Sequence, residues 1–262
     1  SAAAFETPMV PFDPALRERL ASLGLPPGLV SHAVRIIRSC DSRLWLLDNS
    51  SRMRVRDGRV GRTVGGGGVI ERVDDVARWK ELQECVAFHS RLASECCIPT
   101  RYWLVNDPAS SSTAWKKHPE LQKDCRQFGL CCGDRDDVAA EMRKINRIMC
   151  NVQLDWPQCP LTSCIRSLSK GLAKKAPAMS ERGRHVTLVM CTQGKPVDKN
   201  GKSGTEIMEE FRDKLSSFAE LPVRVVVRLC TDNEFVRGAY HALDSKFDSI
   251  DVLDDYWGES RE

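Results

Sequence analysis

Asp48 and Ser50 are the residues of this chain best suited by type and spacing to do chemistry. Both carry hard oxygen atoms, the donors that Mg²⁺ and Mn²⁺ prefer. They stand two positions apart in Asp48-Asn49-Ser50-Ser51-Arg52, and one more serine at the next alternate position would complete Asp-x-Ser-x-Ser. That position is Arg52. At about 4 Å, two unit charges repel by roughly 4 kcal/mol at an effective dielectric of 20, and a divalent ion doubles this. Arg52 is therefore expected either to pair with Asp48 in place of a cation or to point into solvent.

Leu44-Trp-Leu-Leu47 runs straight into this polar cluster. A short apolar run ending in small polar residues reads as a buried parallel strand delivering a loop. In an open α/β sheet, ligands bind outside the carboxyl ends of such strands. Strands are expected at 43–48, 101–106, 185–191 and 223–230, with a short strand or extended tail at 247–253. Helical spacing of apolar residues predicts helices at 14–22, 28–39, 74–96, 136–150, 161–172, 205–218 and 235–243, the third with Asp74-Asp75 as its acidic first turn. Residues 54–62 read as a polar, hairpin-like stretch around Asp57-Gly58, 65–68 as a flexible glycine loop, and 107–135 as an irregular polar segment. Alternating strands and helices predict an α/β fold, a mostly parallel, doubly wound central sheet flanked by helices in a three-layer sandwich. Residues 1–27 are expected to be an extended arm with a short helix, and 28–262 a single domain.

Other chemistries fail on spacing. Gly201-Lys-Ser-Gly-Thr205 lies between a strand and a helix, as a phosphate loop would. The required glycine, however, falls on Pro196, which has no N–H to offer. The glycines at 65–68 do not form G-x-G-x-x-G. His32, His89, His118, His185 and His241 share no spacing with a serine or cysteine nucleophile, and each reads as a surface or capping residue. G-x-S-x-G and H-E-x-x-H are absent. Cys159, just before a predicted helix, is the best-placed thiol, because a helix N-terminus lowers a thiol pKa. No enzyme activity is expected. The acidic stretch Asp251 to Asp255 reads as a solvated end or a docking contact.

A net charge of +3, from 39 basic and 36 acidic residues without a basic block, argues against nucleic acid as a partner. No apolar run is long enough to form a transmembrane helix. A soluble intracellular protein is expected, with peripheral association with a membrane complex left open. The chain is cysteine-rich, with 12, yet has no C-x-x-C. Reduced cysteines serving as small hydrophobes are expected, with one or two disulfides around 125–159 as the alternative. The opening Ser-Ala-Ala-Ala-Phe-Glu lacks an initiator methionine and a charged signal-peptide head. It resembles the mature start of some algal plastid proteins, and an added segment explains it equally well.

Four segments together resemble the von Willebrand factor A domain, in a divergent form found in algal proteins. Leu44-Trp-Leu-Leu-Asp-Asn-Ser-Ser-Arg-Met is similar to the family's first strand and metal-ion-dependent adhesion loop. Cys159-Pro-Leu-Thr-Ser-Cys-Ile is similar to its Thr-Pro-Leu helix start, and His185 to Pro196 to the strand ending in Asp-Gly. Val223 to Asp232 and Ile250-Asp-Val-Leu-Asp-Asp resemble the last core strand and the tail. The family holds one divalent cation with an Asp, two Ser, a Thr and a second Asp. Here Asp48 and Ser50 match, while Arg52, Cys159 (with Thr162 close by) and Gln193 depart. The resemblance implies a non-catalytic protein–protein interaction module, a scaffold or accessory subunit of a large assembly. Its partner crevice would comprise Asp48, Ser50, Arg52, Cys159, Thr162 and Gln193, with no metal or other cofactor expected. Any retained Mg²⁺ would be held by Asp48, Ser50 and Thr162. The alternatives are a metal-dependent adhesion domain, or a thiol-based redox protein using Cys159 or a vicinal pair.

Overall fold

The computed structural model describes residues 14–64, 69–108, 125–132, 137–198 and 201–254. The chain is α/β, as its alternating pattern predicts. Strands β1 (Cys40–Leu47), β4 (Thr100–Leu104), β6 (His185–Thr192), β7 (Val223–Leu229) and β8 (Ile250–Leu253) are parallel, and β5 (Gln127–Leu130) runs antiparallel to β4 at one edge. The sheet order is β5-β4-β1-β6-β7-β8, while β2 (Gly58–Val64) and β3 (Val69–Val76) form a separate two-stranded hairpin. The chain leaves β1 toward β4 on one side and returns to β6 on the other. The strand order therefore switches at β1, which places a crevice at the carboxyl ends of β1 and β6.

Strand periodicity sorts the core into two layers. Leu46 of β1, Leu188 and Met190 of β6, and Val225 and Val227 of β7 face α5 (Leu161–Glu181), α6 (Thr205–Ser216) and α7 (Glu234–Asp244). Trp45, Leu47, Tyr102, Phe128 and Val189 face α3 (Arg78–Glu95) and α4 (Val138–Asn151). Being buried on both faces is why β1 and β6 read as continuous apolar runs rather than as alternation. Helix α5 extends past 172 through Gly171 and Pro177, because Leu172, Ala176 and Met179 keep helical spacing on its buried side. Helices α1 (Pro14–Ser22) and α2 (Pro27–Ser39) pack Leu20 against Val30, Val34 and Ile37, with Ile98 completing this third cluster.

Three expectations are corrected. Helix α3 begins at Arg78, not at residue 74. Asp74 and Asp75 instead lie in β3, where Asp75 takes a left-handed φ of 63° at a register shift opposite Gly58–Val60. That is a bulge, and aspartate is among the few residues that tolerate this conformation. Within 107–135, residues 127–130 form strand β5. His89 is not a surface residue: its ring packs tilted against Trp45 with centroids 4.9 Å apart, and burial drives its pKa from 6.5 to about 3. His118 and the side chain of His32 lie outside the described residues. In the acidic tail, Asp254 is buried and pairs with Arg237 and with His241 at 3.4 Å.

Candidate functional site: the crevice at the ends of β1 and β6

Asp48 follows the last residue of β1, where its N–H donates to Cys191 O of β6 at 3.0 Å. Its side chain is 0% exposed. Both carboxylate oxygens are occupied from the backbone: Ser50 N donates to Oδ1 at 2.9 Å and Gln193 N to Oδ2 at 3.4 Å. The carboxylate thus closes the turn after β1 and ties it to the end of β6. Ser50 makes a parallel bridge to Trp156, and Ser51 N donates to Trp156 O at 2.6 Å. Asn49 and Asn106 exchange two hydrogen bonds, of 3.1 and 2.8 Å, and Asn106 Nδ2 donates to Gln158 O at 2.8 Å. The segment around Trp156 and Gln158 therefore lies over the strand ends, and Asp48, Asn49 and Ser50 are all buried beneath it.

Arg52 does not pair with Asp48. It sits in a short 3-10 turn, Ser51–Arg54, and its side chain is exposed. Among the described residues its guanidinium has no ion-pair partner. Its Nη1 lies 3.7 Å from where a Cβ on Gly194 would be, over the end of β6. The turn begins directly after the Asp48–Ser50 hydrogen bond, so its geometry carries Arg52 outward rather than back to Asp48.

The arginine that does enter the crevice is Arg78, at the start of α3 and 8% exposed. Its Nε and Nη2 form a two-pronged pair with Asp57, at 2.6 and 2.5 Å, and its Nη1 donates to Gln193 Oε1 at 3.1 Å. A bidentate guanidinium–carboxylate pair with one N–H left over suits a neutral amide acceptor. The network continues outward. Glu81 Oε2 accepts from Arg59 N at 3.1 Å, and Glu81 Oε1 lies 3.6 Å from Arg228. Arg59 pairs with Asp232 and, at 3.3 Å, with Asp74, which bolts the hairpin onto the end of β7. Sequence reading missed Arg78 and Asp57. The available signal was a basic residue in the first turn of a helix, where the dipole disfavours it.

Cys159 is buried beside Asp48. Burial pushes its thiol pKa well up, and the neighbouring carboxylate adds to the rise. The N-terminus of α5 does not offset this burial, and the thiol is held toward its protonated form. Thr162, in the first turn of α5, is buried, and its hydroxyl has no partner among the described residues; the same holds for Ser50 Oγ. The structure thus joins Asp48, Ser50, Cys159 and Gln193 directly, and leaves Arg52 and Thr162 without a bond to Asp48.

The donor set does not fit a resident divalent cation. It offers one carboxylate already engaged by two N–H groups, two neutral hydroxyls, a soft thiol, and an amide whose oxygen is held by a guanidinium. Mg²⁺ requires near-octahedral oxygen ligands and compensating negative charge, and Asp48 is the one carboxylate in this set, while Gln193 is a neutral amide bonded to Arg78.

The 12 cysteines are thiols; Cys40, Cys125, Cys159, Cys164, Cys191 and Cys230 are buried. The Lys202 loop turns back on itself through Lys202 N to Asp198 Oδ1 at 2.8 Å, so its N–H is not presented to a phosphate. Among the described residues, no helix is long and apolar enough to cross a membrane. Comparison with protein-family models gives no match, and comparison with curated proteins gives none.

Proposed function

We propose that the chain is a non-catalytic protein-binding module of von Willebrand A type, a scaffold or accessory subunit that recognises its partner without a bound cation. The observation that carries this reading is the Arg78–Gln193 hydrogen bond, in which a guanidinium occupies the amide standing where the resemblance expects a carboxylate. With Asp48 sealed, the rim of the crevice is what a partner meets. Arg52 offers an exposed guanidinium there, suited to a partner carboxylate. Phe235, 82% exposed on the first turn of α7 at the same end of the sheet, offers an apolar anchor. The test is to identify the partner by cross-linking and affinity purification from the native source, then to measure binding with and without EDTA. Binding is expected to ignore EDTA and to weaken about tenfold in Arg52→Ala. Release by EDTA, or micromolar Mg²⁺ binding abolished by Asp48→Ala, overturns the proposal.

A metal-dependent adhesion domain is the second reading, favoured by the unbonded hydroxyls of Ser50 and Thr162. The same Mg²⁺ titration separates the two. A thiol redox role at Cys159 is disfavoured by its burial and raised pKa.

A further inference from the structure

A second concavity opens on the α5 side of the sheet, and Leu46, two residues before Asp48, is part of its lining. Helix α5 packs over β1, and among the described residues no helix covers β4 and β5 on that face. Register places Arg101 opposite Gly129 and Trp103 opposite Gln127, so these four share the uncovered face, while Tyr102 and Phe128 point into the α3–α4 layer. The result is a groove of about 640 Å³ with Leu44, Leu46 and Trp103 on the sheet side and Leu168 and Leu172 on the helix side. A lobe of about 200 Å³ continues it toward Pro99 and Met179, sharing Leu44, Arg101, Leu172 and Lys175. This volume falls in the range of small-ligand sites.

Three observations give the groove a chemistry. Among the described residues, the main groove is lined by the cations Arg101 of β4, Lys144 of α4 and Lys175 of α5, and by no acidic side chain. Arg101 and Lys175 are exposed and have no carboxylate partner among the described residues; Asp41, in the smaller lobe, is already flanked by Arg182 and Arg184 at 3.6 and 3.9 Å. Trp103 Nε1 is buried and donates to nothing among the described residues, although its ring is fixed under the Arg126 guanidinium at 5.8 Å. A buried donor without an acceptor, beside two unpaired cations over an apolar floor, is complementary to an anionic head on an apolar body. Gly171 in mid-α5 also lines the groove, and a Cβ there would meet nothing within 4 Å. Packing of the chain itself does not require glycine at that position.

We propose that this groove binds a long-chain carboxylate, its head held by Arg101 and Lys175 and its chain lying on Leu44, Leu46 and Leu168. The test is isothermal titration of the full chain with laurate below its micellar concentration, with dodecylamine as the charge-reversed control. Saturable laurate binding in the micromolar range is expected, with dodecylamine at least about tenfold weaker. The double variant Arg101→Gln/Lys175→Gln changes only exposed side chains, and should weaken laurate about tenfold while leaving the thermal midpoint unchanged. Gly171→Phe projects into open space, so it should fold and abolish binding. Absence of laurate heat, equal binding of dodecylamine, or laurate affinity unchanged in the double variant or in a folded Gly171→Phe each overturns the proposal.

Discussion

Arg78 and Gln193, 115 positions apart in the chain, meet through a 3.1 Å hydrogen bond at the carboxyl end of the sheet. Arg78 also carries Asp57, so one buried side chain joins β6, α3 and the approach to the hairpin. Removing one partner of a buried ion pair costs roughly 3–5 kcal/mol, and Asp57 is about a third exposed, which lowers this. Arg78→Ala is expected to cost about 2–3 kcal/mol in urea unfolding. A loss below about 0.5 kcal/mol, the usual size of a surface change, would show that the network is ornamental. Gln193→Asp should still bind no Mg²⁺ by calorimetry, because the new carboxylate faces the Arg78 guanidinium.

Asp48 acts here as a turn-closing acceptor. Asp48→Ala strands the N–H groups of Ser50 and Gln193 in a buried setting, at about 1–3 kcal/mol each. Asp48→Asn keeps one acceptor oxygen and should lose about half as much. Equal losses in the two variants, measured by denaturant midpoint at constant slope, would contradict the role assigned to the carboxylate.

Thiol chemistry should follow burial. Cys97, Cys132 and Cys150 are exposed, whereas burial pushes the pKa of Cys159, Cys191 and Cys230 well up. Native alkylation followed by peptide mass mapping should label the first three and leave the last three untouched until urea is added. Rapid native labelling of Cys159 would reopen the redox reading.

His89 makes stability depend on acid. Its folded pKa, lowered by burial and then by Arg43 and Arg228, is about 3 against 6.5 when unfolded. Above pH 6.5 both states are neutral at this site and it contributes no pH dependence. As pH falls from 6.5 toward 3, the unfolded chain takes up a proton that the folded chain refuses. Stability then drops by about 1.4 kcal/mol per pH unit. Between pH 7 and 5, wild type should lose about 2 kcal/mol more than His89→Phe. Parallel curves for the two proteins would remove His89 as the cause.

The β1 and β6 strands were legible because burial on both faces leaves a continuous apolar run, β7 because Val223, Val225, Val227 and Leu229 alternate inward, and the helices because their buried stripes recur every three or four residues. The hairpin was legible only in part: expected at 54–62 around Asp57-Gly58, it pairs Gly58–Val64 with Val69–Val76. Gly58 to Val64 and Val69 to Val76 are rich in charge and glycine, and ion pairs of Arg59 with Asp74 and Asp232 hold them. Asp74-Asp75 has the composition of a helix start, and only the bulge at Asp75 distinguishes it. Strand β5 spans four residues, with Gly129 among them, too short for periodicity to register. At the crevice, Asp48, Ser50, Cys159 and Gln193 were found from residue type and order. Arg52 drew attention because it sits in the motif, while Arg78 acts from another element, and local sequence cannot show which guanidinium reaches the amide.

β1 is central in the finished sheet and yet is made first. Leu44 pairs with Arg101 on one side and with Leu188 on the other. During synthesis the β4 side can therefore be satisfied early, while the β6 side must stay open until most of the chain has left the ribosome. Through that interval Trp45, Leu46 and Leu47 form an apolar strand with one bare edge, the template that invites pairing with another nascent chain. The protein is consequently expected to lean on holding chaperones while it is being made, and fragments ending before His185 should aggregate even though they contain every residue of the Asp48 turn.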